Sequence, residues 1–168
     1  QQILSTVNTH DHNFGMLMDG SVDFLEYEDN EQLYRRGFCY TKIIEDDLCC
    51  IMGPNHELAD CEAIHPEDLC GYQIFCWTSK SSATRALYEY ADKLGWNLKG
   101  LPYSVGTILN VCNEGNIYIL SHNSAAMFQP LRVIPIEPRI PYYRGLVYKP
   151  EKEGVLQEML QAAKPKQS

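Results

Sequence analysis

Hydrophobic positions fall into short blocks with two different spacings, separated by polar or glycine-containing turns. Both spacings meet between Val105 and Ser121. Ile108, Leu109 and Cys112 recur as on one helical face, Glu114-Gly115 closes the helix, and Ile117 to Leu120 is an unbroken apolar strand. Glycine fits a helix C-terminus because the left-handed conformation costs it little. So short a helix-to-strand connection belongs to a compact α/β domain of alternating elements. Such domains bind small ligands at strand ends, between lobes or at switch points. The pattern points to a binder or sensor before any residue looks catalytic.

The remaining blocks read the same way. Ile3 to Asn8 is an expected strand, followed by Thr9 and Asp11 as N-cap oxygens and by Phe14, Leu17 and Met18 at helical spacing. Val22 to Leu25 is a second strand ending in the acidic turn Glu26 to Asp29, and Gln32 to Arg36 a short helix or turn. Phe38 to Ile44 is a third strand; Asp46-Asp47 turns the chain into Leu48 to Met52, apolar throughout as in a strand buried on both faces. Tyr72 to Trp77 is a strand, Thr78 to Ser82 a polar loop ending in an N-cap, and Ala83 to Leu94 a helix stopped by Gly95. A strand is expected near Leu101 to Ser104 and a short helix over His122 to Phe128. Leu131 to Ile136 and Arg144 to Tyr148 are return strands, and Pro150 opens the last helix.

Composition narrows the function. With 168 residues the chain makes one domain or two small lobes. A formal charge of −8 makes direct contact with nucleic acid or an anionic membrane a poor reading. No apolar run approaches the roughly 18 residues of a membrane span, and Gln1 to Ser5 has no basic signal-peptide start. Of seven cysteines, Cys39, Cys49, Cys76 and Cys112 lie in apolar segments and read as buried free thiols of a reducing cytoplasm; Cys61 and Cys70 flank a polar loop and are the candidate disulfide or redox pair. His10-Asp11-His12 raises a metal reading, but helix-start polar residues account for it, and no metal, cofactor or catalytic residue is assigned. No phosphate loop, serine-nucleophile elbow or cysteine-protease signature is visible.

Several phrases, in order, resemble the effector-binding domain of LysR-type transcriptional regulators. Met18-Asp-Gly-Ser-Val-Asp23-Phe is similar to the family's helix-end "LxxGxLDxxI". Ile43 to Ala59 is similar to "LxEDELxLVxPxxHPLA", Ile64 to Leu69 to "VxLxDL", and Val111 to Ser121 to "VAAGxGIALLP". Leu131 to Ile136 and Gly145 to Tyr148 resemble the return strands. Three departures stand out: Glu114 and Asn116 replace the two glycines around Gly115, Ser121 replaces the closing proline, and the family's opening strand and helix have no counterpart before Ile3. With no initiator Met, the chain reads as a fragment, an incompletely observed domain or a shortened relative.

The resemblance implies an α/β fold of two Rossmann-like lobes joined by two crossover strands, of the type 2 periplasmic-binding-protein kind. The expected division is residues 1–49 plus 131–168 for the first lobe and 50–130 for the second. It further implies a small-molecule effector, with carboxylates as the expected class, bound between the lobes by Thr9 and His10 from the first and Cys76, Trp77, Thr78 and Ser79 from the second. Hydroxyls and N–H groups at helix starts suit a carboxylate, although plain capping needs the same residue types. It implies a homodimer, with Tyr88 and Tyr90 of the Ala83 to Leu94 helix as interface aromatics, and DNA contact only through a domain outside this chain. The implied protein is cytoplasmic and not an enzyme. Two alternatives stay open: an extracytoplasmic solute-binding protein of the same fold, and a thiol-dependent enzyme or redox sensor using Cys76.

Overall fold

The computed structural model describes residues 3–4 and 10–165, with side chains from Asn13 onward. The elements are β1 (Ile3–Leu4), α1 (His10–Met18), β2 (Phe24–Glu28), α2 (Gln32–Arg35), β3 (Cys39–Met52), β4 (Gln73–Trp77), α3 (Ser82–Leu94), β5 (Asn97–Leu101), α4 (Val105–Asn113), β6 (Ile117–Ser121), α5 (His122–Ala125), β7 (Arg132–Pro135), β8 (Pro141–Tyr148) and α6 (Glu153–Ala162). Short 3-10 turns cover Pro66–Leu69 and Pro150–Lys152. The chain divides into two compact units, residues 1–44 with 144–168, and residues 45–143. Strands β3 and β8 each carry residues of both units.

In the first unit, β1 pairs parallel with β2, and β2 pairs antiparallel with β8. Alternation assigns the two faces of this sheet. Leu25, Tyr27 and Val147 pack with Phe14 and Leu17 of α1, whereas Phe24 and Tyr148 pack with Leu156 of α6. Gly145 of β8 approaches the β3 backbone so closely that a Cβ there would lie 2.1 Å from the Thr41 carbonyl oxygen. Only glycine fits that contact. Beside it the Tyr148 hydroxyl lies 2.8 Å from Thr41 Oγ1 and donates to the Glu153 carboxylate, tying the start of α6 to the sheet.

The second unit is built on a five-stranded sheet. β3 pairs antiparallel with β7 on one side and β6 on the other; β6, β4 and β5 follow as parallel neighbours. Leu48, Cys50, Met52, Ile74, Cys76, Ile117 and Ile119 form one face, under Leu87 of α3 and the indole of Trp96. Cys49, Ile51, Tyr118 and Leu120 form the other, under Ile108 and Cys112 of α4 and Ala125 of α5. The Trp96 indole N–H donates to the Pro66 carbonyl at 2.9 Å, which satisfies its one buried donor.

Three elements differ from the sequence reading. The acidic stretch Glu26 to Glu28 is strand, not turn. Asp46-Asp47 does not turn the chain, and β3 runs through it for 14 residues. The charges are held where they are: Asp46 accepts the Asn123 N–H at 2.8 Å, and Asp47 pairs with Arg139 at 2.7 Å. The strand expected near Leu101 to Ser104 lies at Asn97–Leu101 instead, ended by Pro102. The expected lobe boundaries, 49/50 and 130/131, compare with an observed division at 44/45 and 143/144, because residues 49–52 and 132–135 pair with each other in one sheet.

Candidate functional site

The parallel strands of the second unit end side by side, at Trp77, Leu101 and Ser121. Helices α3 and α4 start just beyond two of those ends. The Thr78 N–H donates to the Leu101 carbonyl at 3.2 Å, so the β4–β5 ladder continues one residue past Trp77. Parallel strands with helices returning from their C-terminal ends leave backbone N–H groups and helix starts pointing toward one edge of the sheet.

Most hydroxyls of the Thr78 to Ser82 loop are used internally. Ser81 caps α3: its Oγ accepts the Thr84 N–H at 3.3 Å and lies 3.1 Å from Thr84 Oγ1. Thr84 Oγ1 is within 3.0 Å of the Ser81 carbonyl, and the Ser79 Oγ accepts the Ser81 N–H at 2.9 Å. Ser81 and Thr84 are fully buried. Thr78 is exposed and Ser79 half-buried, and neither hydroxyl caps α3. Trp77 is half-buried, its ring edge-on to Tyr142 at 5.5 Å.

Cys76 belongs to the core. It is fully buried, and burial pushes its thiol up to about 11, only partly offset by a hydrogen bond from Tyr88. A thiol so protonated at neutral pH is a poor nucleophile. The same holds for Cys49 and Cys112, pushed up to about 12 by burial, and for Cys50 beside Cys49. Cys61 and Cys70 are exposed free thiols, and Cys39 is half-buried. Among the described residues, no cluster of His, Cys, Asp and Glu is arranged to hold a metal ion. No described helix is long and apolar enough to cross a membrane.

Of the expected site residues, the structure brings Trp77, Thr78 and Ser79 together at the β4 end, with Cys76 beneath them in the core. Thr9 lies outside the described residues; His10 opens α1 and its side chain lies outside them. Sequence reasoning missed Tyr103 and Ser104, which follow β5 at the same sheet edge. Tyr103 is half exposed, and its ring meets Phe128 edge-on at 6.4 Å. A better placement of β5 would have revealed them, since Pro102 then marks a strand end rather than a strand interior. Of the expected interface aromatics, Tyr90 stacks on Trp96 within its own chain, at 5.7 Å and 18°.

The family model for the LysR substrate binding domain matches residues 3–165. By sequence the chain matches no curated protein. Among solved structures, it is similar to the oxidized form of OxyR, with TM-score 0.71 and 16% identity over 92% of this chain and 76% of that one. CbnR, a LysR family transcriptional regulator, gives TM-score 0.72 and 15% identity, covering 94% of this chain and 58% of that one. The Synechocystis PCC6803 CcmR regulatory domain, solved in complex with 2-PG, gives TM-score 0.65 and 14% identity, covering 92% and 78%. These likenesses carry the expected fold, a mixed α/β architecture of the type 2 periplasmic-binding-protein kind. The chain belongs to the LysR substrate-binding domain family, the effector-binding part of transcriptional regulators.

Proposed function

We propose that this chain senses a small anionic effector, a carboxylate by class, in a cytoplasmic LysR-type regulator. The second unit contributes Trp77, Thr78 and Ser79 at the end of β4, with Tyr103 and Ser104 at the end of β5. Thr9 and His10, which the family resemblance implies, are further proposed contributors. No chemistry is performed on the ligand. Binding shifts a conformational equilibrium by its differential affinity for two states, and another domain of the regulator carries the DNA contacts. The regulator works as a homodimer; sedimentation of this chain as a clean 19.2 kDa species at micromolar concentration contradicts that part.

One observation supports the ligand placement above the others. Parallel strands β4 and β5 end together, and the exposed Thr78 stands beside the start of α3 while the cap of that helix is already supplied by Ser81. Capping therefore leaves Thr78 unexplained, and a ligand explains it. The test is a thermal-shift screen of small mono-, di- and phosphorylated carboxylic acids, with 2-phosphoglycolate as a first probe. An acid that raises the melting temperature of the wild type is expected to lose that effect in Thr78→Val and in Thr9→Val. An undiminished shift in both variants contradicts the placement.

A further inference from the structure

Tyr88 is on the second turn of α3, and its exposure of 45% makes it look like a surface aromatic. Its hydroxyl turns inward. It faces the Cys76 side chain on β4, lowering the thiol's affinity for its proton and raising the phenol's. It also occupies space that a side chain at position 100 of β5 would need. A Cβ on Gly100 would lie 3.1 Å from the Tyr88 hydroxyl oxygen, 3.5 Å from Thr78 Oγ1 and 3.9 Å from Thr78 Cα. The Gly100 backbone is not in the left-handed region, so space rather than conformation calls for glycine there. The backbone of Thr78 is held from the same strand through the Leu101 carbonyl. The Tyr88 hydroxyl and Thr78 Oγ1 thus both border the space above Gly100.

We infer that Tyr88 is a positioning residue for the Thr78-Ser79 loop: its hydroxyl, seated over Gly100 in the space that Thr78 also borders, holds that loop in its ligand-ready place. The inference rests on the proposed function for the ligand, but not for the positioning. It also gives Tyr88 a role inside its own chain in place of a purely intermolecular one. Tyr90, two residues on, supplies the internal control, because its ring stacks on Trp96 away from these contacts.

The experiment compares the wild type with Tyr88→Phe, Gly100→Ala and Tyr90→Phe in the full chain. Amide hydrogen exchange is read at Thr78 and Ser79, with mid-helix amides of α3 as reference. Removing the hydroxyl that borders Thr78 predicts about fivefold faster exchange at Thr78 in Tyr88→Phe, with the reference amides unchanged. Gly100→Ala is expected to have the same local effect, and Tyr90→Phe none. Affinity for 2-phosphoglycolate is then expected to fall by about the same factor in Tyr88→Phe. Unchanged exchange at Thr78 in both Tyr88→Phe and Gly100→Ala overturns the inference. So does faster exchange with unaltered probe affinity, because Tyr88 would then be structural only. If the wild type does not bind this probe, the exchange comparison alone decides. If Thr78→Val abolishes probe binding and Tyr88→Phe does not weaken it, the proposed function stands and this inference fails.

Discussion

Helices α3 and α4 follow neighbouring parallel strands, and each is preceded by an extended serine, Ser81 and Ser104. The two starts are nonetheless built differently. Ser81 is fully buried and bonded to Thr84 through both backbone and side chain. Ser104 makes no side-chain cap bond and is exposed, flanked by the exposed Tyr103 and Val105. One helix start is closed on its own hydroxyls; the other is open to whatever meets it. A serine before a helix is therefore no signal of binding or of capping. Burial of its oxygen decides which role it plays.

The helix bodies should not share this difference. Leu87 of α3 and Ile108 of α4 are both fully buried, on opposite faces of one sheet. Leu87→Ala and Ile108→Ala are each expected to cost about 2–5 kcal/mol in urea unfolding. A body that tolerates truncation without loss would show that its helix is not docked as described.

A second test uses two buried thiols, Cys76 beneath α3 and Cys112 on α4. Burial raises Cys76 to about 11 and Cys112 to about 12, from an ordinary 9.0. Between pH 9 and those values the unfolded chain gives up a proton that the folded chain keeps. Stability is thus complete below about pH 8 and falls as pH rises past 9, by about 1.4 kcal/mol per pH unit for each such thiol. Cys49 adds to the slope in the same sense. Urea midpoints between pH 8 and 10.5 should show this decline, shallower in Cys112→Ala. A flat profile would mean that the thiols reach solvent.

The helix starts themselves should give the smaller effect. Ser81→Ala is expected to lose about 1–2 kcal/mol, from the cap and the buried bond to Thr84. Ser104→Ala should stay within about 0.5 kcal/mol, as an exposed site does. Equal losses at both positions would erase the contrast between a closed and an open start.

How much of this was readable in advance follows from local against distant causes. Helix α3 was legible because its signals are local: a serine cap before it, at Ser81 and one residue earlier than expected, Leu87 on its inner face, Gly95 in the left-handed region after it. The strand Leu48 to Met52 was legible because both its faces are buried, which leaves a continuous apolar run. Strand β3 through Asp46-Asp47 was not, since its extension depends on Asn123 and Arg139, far away in sequence. Nor was β5: Asn97 and Gly100 are poor strand formers, and pairing with β4 supplies what local preference lacks. At the site, residue types at the β4 end could be named, but not which hydroxyls are spent on capping. That depends on burial, which assigned Ser81 to the helix and left Thr78 outside.

Thr78, at the closed start of α3, is proposed to face a ligand rather than to serve the helix. The most direct measurement is the melting temperature of wild type and Thr78→Val with and without each acid of the same panel. Equal melting temperatures are expected for the two proteins alone, with a ligand-induced rise in the wild type that Thr78→Val lacks. A drop in the ligand-free melting temperature of Thr78→Val, with the ligand-induced rise intact, would contradict that proposal and return Thr78 to the architecture of the helix.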